Sequence, residues 1–122
     1  MQKRLLLLEY QAFLLSGELY PSDILIDHDC VGVFGNETCL TVPCRYWNDG
    51  ATELLVWPAD EMPASEAEPN FDGWLNTPHR SVVCSDVNEL AFLVAEVPDT
   101  RTRARIWLDN PAEPAKIVIA LG

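Results

Sequence analysis

A chain of 122 residues with 19 acidic and 8 basic side chains has a formal net charge of −11, a sign that opposes direct binding of nucleic acid or anionic lipid. Its length fits a single domain over residues 1–122, and 48% apolar residues with four tryptophans can fill one core without metal or disulfide support. No apolar run approaches the roughly 20 residues of a membrane-crossing helix. The opening leucines stop at Glu9 with no small-residue cleavage site after them, so this segment is expected to be a first strand of a soluble, cytoplasmic, bacterial-type protein and not an export signal.

Short runs bounded by turn residues recur along the chain, and no window keeps a clean helical apolar period, which predicts an all-β fold. The expected strands are 4–15, 31–34, 38–42, 53–57, 81–85, 91–96, 103–108 and 116–121. Eight short strands suit a sandwich or a flattened barrel, and the expectation is a single-domain antiparallel β-sandwich. Gly35-Asn36-Glu37 tolerates positive φ and predicts a hairpin between its flanking runs. Asn48-Asp49-Gly50 predicts a tight reversal ahead of 53–57. Residues 58–78 hold four prolines and the acids Asp60, Glu61, Glu66, Glu68 and Asp72 with no base, and read as a long loop whose far end is pinned by Phe71 and Trp74. Beyond it, Ala104, Ile106 and Leu108 alternate with Arg103, Arg105 and Trp107, so one face of that strand is apolar. Residues 109–114, with two prolines, end it and allow an antiparallel return, where Ile117, Ile119 and Leu121 supply the core face.

The chemistry-bearing residues do not assemble into a catalytic motif. There is no Gly-x-Ser-x-Gly, and six glycines scattered singly make no phosphate-cradling loop, so the expectation is a protein that is not an enzyme. Cys30, Cys39, Cys44 and Cys84 are expected to be reduced and partly buried. Cys39 and Cys44 stand at the loose edge of zinc spacing with neither His28 nor His79 in a second pair, and no metal or other cofactor is expected. In an extended segment Asp27 and Asp29 face away from His28, which spoils a shared site there. Arg101, Arg103 and Arg105 share a strand face with Trp107, and are expected to pair with strand carboxylates such as Glu96 or Glu113.

The negative charge is unevenly spread: residues 5–79 hold thirteen acids and one base, Arg45, whereas residues 80–122 hold six acids and five bases. Such a surface either serves solubility alone or complements a basic protein, with Tyr20, Tyr46, Trp47 or Trp57 as apolar anchors. The stretch Leu7-Leu8-Glu9-Tyr10-Gln11-Ala12-Phe13-Leu14-Leu15 resembles the start of the competence-associated nuclease inhibitor family and of related small bacterial immunity-like proteins. Val97-Pro98-Asp99 through Arg103-Ala104-Arg105-Ile106-Trp107, ending in Ile117-Val118-Ile119-Ala120-Leu121, is similar to the closing hairpin of such proteins, with Asp99-Thr100 where the family has a glycine. The resemblance implies a β-sandwich without catalytic residues that blocks a nuclease. The resulting expectation is a non-enzymatic acidic inhibitor, an immunity protein that covers the basic active-site surface of a cognate bacterial toxin. The alternative is a phage-encoded nucleic-acid mimic that inhibits a bacterial defence complex. A partnerless structural or carbohydrate-binding β-domain and an unrecognised hydrolase are further alternatives. The expected contact residues are Asp60, Glu61, Glu66, Glu68 and Asp72, then Asp27 and Asp29, with Trp57 and Trp47.

Overall fold

The computed structural model describes residues 1–19, 32–65, 67–87 and 91–122. Alternation builds the first sheet. β9 (Arg101–Leu108) buries Thr102, Ala104, Ile106 and Leu108 and turns Arg101 and Arg103 to solvent, the two-residue period of a strand with one face on a core. β10 (Lys116–Leu121) returns antiparallel, Ile117 beside Leu108 and Ile119 beside Ile106, after a turn in which the Asp109 carboxylate accepts the N–H groups of Ala115 and Lys116. β5 (Thr52–Pro58) sends Thr52, Leu54 and Val56 into the same core, and β1 (Gln2–Leu6) and β6 (Phe71–Asn76) form the two edges, in the order β1-β5-β10-β9-β6.

The second sheet has the order β3-β4-β2-β7-β8, from β3 (Phe34–Gly35), β4 (Cys39–Pro43), β2 (Ala12–Ser16), β7 (Ser81–Ser85) and β8 (Ala91–Glu96), all antiparallel. Its three middle strands are buried on both faces and lack polar alternation for that reason. Phe13, Leu15, Leu40, Val42 and Val82 meet Leu54, Val56, Ile106, Ile117 and Ile119 in the core between the sheets. Each such side chain contributes about 1.5–3 kcal/mol on full burial. The hairpin at Gly35-Asn36-Glu37 forms as its sequence predicts. Gly35 has φ +135°, and a Cβ there would lie 2.3 Å from the Cys39 carbonyl, so only glycine fits. Asn36 Oδ1 accepts the N–H groups of Thr38 and Cys39.

The all-β sandwich is as expected, with four differences in detail. The run 4–15 is two strands, β1 and β2, in different sheets. A single strand of twelve residues would reach about 40 Å, and the chain instead crosses between sheets at 7–11, where Leu8 accepts from Trp47 N and Gln11 from Cys44 N. The expected loop 58–78 contains β6, whose Asp72, Gly73 and Asn76 are poor strand formers locally. Pairing with β9 along its whole length holds it extended. These two changes turn eight expected strands into ten among the described residues. The sandwich is also not wholly antiparallel, because β5 and β10 run parallel. Thr52 Oγ1 donates to the Pro114 carbonyl at 2.9 Å and Glu53 N to Ala115 at 2.8 Å, so both strands start from the same end of the molecule. Finally, the run 31–34 is reduced to β3, Val31 lying outside the described residues.

Candidate protein-interaction surface

The two ends of β5 separate the candidate residues. Trp47 lies in the 3-10 turn Trp47–Asp49 that leads into the strand, and Asp60 and Glu61 lie in the turn that leaves it. The seven residues of β5 span about 23 Å at 3.3 Å each. Trp47 and the pair Asp60 and Glu61 therefore lie beyond opposite ends of β5 and belong to two surfaces.

At the far end, Glu61 N and Met62 N donate to the Pro58 carbonyl at 3.0 and 3.2 Å, and Ala59 N donates to Leu121 at 2.9 Å. The chain then crosses the sheet to β6. Trp107 Nε1 donates to the Ala67 carbonyl at 2.9 Å, Asn70 N to Ile106 at 2.8 Å, and Leu108 N to Asn70 Oδ1 at 2.9 Å. The connection 59–70 is thus tied to the sheet at both ends. The carboxylates of Asp60, Glu61 and Glu68 are exposed on it and make no ion pair or hydrogen bond among the described residues. Glu66, Asp27, Asp29 and Tyr20 lie outside the described residues.

Asp72 stands apart from the other acids of this group. It lies on the outer face of β6, where Arg103 Nε and Nη2 donate to its two oxygens at 2.8 and 2.6 Å. The guanidinium hydrogen bonds hold the Asp72 carboxyl below its ordinary range and raise Arg103 in return. Asp72 is therefore neutralised within the molecule. The arginines do not take Glu96 or Glu113 as expected: Arg101 takes Glu37 at 3.4 Å and lies 4.7 Å over the Trp74 ring. β8, which carries Glu96, belongs to the other sheet, and Glu113 accepts from Gln11 Nε2 at 3.4 Å.

Trp57 is half-buried at the end of β5 and, with Val56, Asp60, Glu96, Val97 and Leu121, lines a cleft of about 320 Å³ between the two sheets. Glu96 carries no local signal for this placement. Its proximity to Asp60 depends on two strands of different sheets ending together. At the opposite end Tyr46 and Trp47, 5.8 Å apart between ring centroids, are exposed with Leu7 and Tyr10. Leu7 and Tyr10 were expected within a strand; they are exposed because the crossover 7–11 interrupts it.

Burial pushes the thiols of Cys44 and Cys84 up to about 12, so both stay protonated and inert at neutral pH. Cys39 is also buried, and Cys30 lies outside the described residues. His79 pairs with Glu18 at 3.1 Å on the surface. Among the described residues, no three His, Cys, Asp or Glu side chains converge to hold a metal ion, and no helix is long and apolar enough to cross a membrane. In comparisons with known proteins, no family model, no curated protein and no solved structure matches the chain.

Proposed function

We propose that this chain is a non-enzymatic acidic inhibitor, an immunity protein that binds a cognate bacterial nuclease toxin and covers its basic active-site surface. The observation that carries this reading is the connection 59–70, where Asp60, Glu61 and Glu68 present exposed carboxylates with no counterion among the described residues, on a segment tied to β9 and β10. Nucleases hold phosphates with positive surface, which an acidic ridge complements both in long-range attraction and at contact. Ordering a loop on binding costs free energy, and a segment already held by backbone and indole hydrogen bonds avoids part of that cost. Asp72 contributes by fixing Arg103, not by facing the toxin.

The test is inhibition of a nuclease toxin domain encoded beside this chain. The chain should abolish DNA or RNA cleavage in a stoichiometric complex and protect cells that express the toxin. A chain that forms no complex with that toxin and leaves cleavage unchanged would remove the immunity reading.

A further inference from the structure

The edges of the two sheets are not equally closed. In an antiparallel ladder, successive residues turn their N–H and C=O groups to opposite edges of the strand. On β8, Val97 N donates to the Arg80 carbonyl at 3.0 Å, so the groups of Phe92 and Val94 face away from β7. β1 of the other sheet covers them: Gln2 Nε2 donates to the Val94 carbonyl at 3.0 Å, and Arg4 Nε to the Phe92 carbonyl at 3.3 Å. β3 is an edge of only two residues. Covering and shortening are both ways in which a sheet protein keeps a stray strand from adding. β6 differs. Thr77 N donates to the Thr100 carbonyl at 2.9 Å, in register with the β6–β9 pairs, so Phe71, Gly73 and Leu75 bond toward β9 while Asp72, Trp74 and Asn76 face outward. Asn76 N donates to the Glu37 carbonyl at 2.8 Å, which latches that end to the other sheet. The outward backbone N–H and C=O groups of Asp72 and Trp74 have no partner among the described residues, and both residues are exposed, Trp74 to 45%. Such a stretch of edge can bond to another extended chain. A second copy is disfavoured by charge, since each chain carries −11 and β6 follows directly on the connection that bears Glu68. An extended segment with basic side chains meets no such repulsion, because the arginines beside the edge, Arg101 and Arg103, are already paired with Glu37 and Asp72.

We propose that β6 takes up an extended segment of the basic partner as a sixth strand of its five-stranded sheet, bonded to the outward groups of Asp72 and Trp74. The proposal rests on the inhibitor reading, which supplies the basic partner, and adds the mode of contact: main-chain hydrogen bonds where the connection 59–70 runs into β6, with the Trp74 indole as the flanking apolar side chain.

The probe is the capped peptide acetyl-Lys-Thr-Val-Arg-Val-Thr-Lys-amide, titrated into the isotope-labelled chain and followed by NMR. Expected are shifts centred on the Asp72 and Trp74 amides, with slower hydrogen exchange at both. A copy of the peptide N-methylated at its three central residues keeps the charge and loses the edge donors, and should bind more weakly by about fivefold for each hydrogen bond lost. Trp74→Pro deletes the outward N–H and none of the bonds to β9, and should weaken the peptide by a similar factor relative to Trp74→Ala, which retains that N–H. No binding, equal affinity for the peptide and its N-methylated copy, or shifts confined to Asp60, Glu61 and Glu68 would overturn strand addition and leave the acidic-ridge reading standing. Equal binding of the acidic peptide acetyl-Glu-Thr-Val-Glu-Val-Thr-Glu-amide would overturn the basic occupant, and concentration-dependent shifts at Asp72 and Trp74 without peptide would overturn it in favour of a second copy. Strand addition by a chain that forms no complex with the nuclease toxin would keep the chemistry of the edge and remove the toxin as its source.

Discussion

Asp72 illustrates what a single residue contributes once its neighbour is known. Its carboxyl is held below the ordinary value of 3.8 chiefly by the Arg103 hydrogen bonds. A depressed folded value means that the native state favours the ionised form. The pair therefore stabilises above pH 3.8, and that stabilisation is lost as the pH falls through the lowered folded value. Asp72→Asn should be less stable than the parent chain at neutral pH in urea melts, with the difference closing below pH 3.8. A gap that persists unchanged in acid would show that the charge is not what the arginine uses. Gly17 makes a steric counterpart. A Cβ there would lie 2.1 Å from the Asn76 carbonyl oxygen and 2.9 Å from Thr77 Cα, backbone atoms at the end of β6 that cannot rotate away. Gly17→Ala should cost about 1–3 kcal/mol by denaturant titration. Neither Asp72's clamp nor Gly17's contact is written near those residues in the chain, since both partners come from elsewhere in the sequence.

Elements in this protein were legible in proportion to how regularly they alternate. β9 and β10 could be read almost to the residue, because Ala104, Ile106, Leu108, Ile117 and Ile119 face one core and their turn is rich in proline. β6 was not, since an edge strand containing Asp72, Gly73 and Asn76 owes its extended form to β9 and not to its own propensities. The parallel pairing of β5 with β10 depends on a clasp that no local pattern signals. The Thr52 hydroxyl accepts from Arg45 N at 2.9 Å and donates to the Pro114 carbonyl at 2.9 Å, fully buried between the two strand starts. Thr52→Val keeps the shape and removes both bonds, leaving a buried N–H and carbonyl unsatisfied. A loss of about 1–3 kcal/mol is expected in thermal or urea unfolding, and an unchanged midpoint would mean the clasp is dispensable.

Across the whole molecule, charge acts through placement. Of the acids on 58–78, Asp72 is paired internally while the Asp60, Glu61 and Glu68 carboxylates, on a tethered connection, have no ion pair among the described residues. The triple variant Asp60→Lys, Glu61→Lys, Glu68→Lys should slow association with the nuclease toxin and flatten its dependence on salt, measured by stopped-flow or surface binding kinetics at low and physiological ionic strength. Screening at about 8–10 Å makes salt the direct reporter of such steering. An association rate unaltered by the triple reversal would move the interface elsewhere, the exposed Tyr46–Trp47 end being the next surface to test.

From the amino-acid order alone came the all-β class, the hairpin at Gly35-Asn36-Glu37, the final antiparallel pair, the acidic excess and the lack of a recognisable catalytic motif. All of these rest on composition or on interactions between near neighbours, where side-chain period and turn chemistry act directly. Tertiary structure decided which acids are neutralised, that Trp47 and Trp57 occupy opposite ends of one strand, and that Asp60 and Glu96 share a cleft. Those outcomes depend on sheet order and strand register, which are set by how two whole sheets bury their apolar faces against each other, a condition no short window of sequence contains.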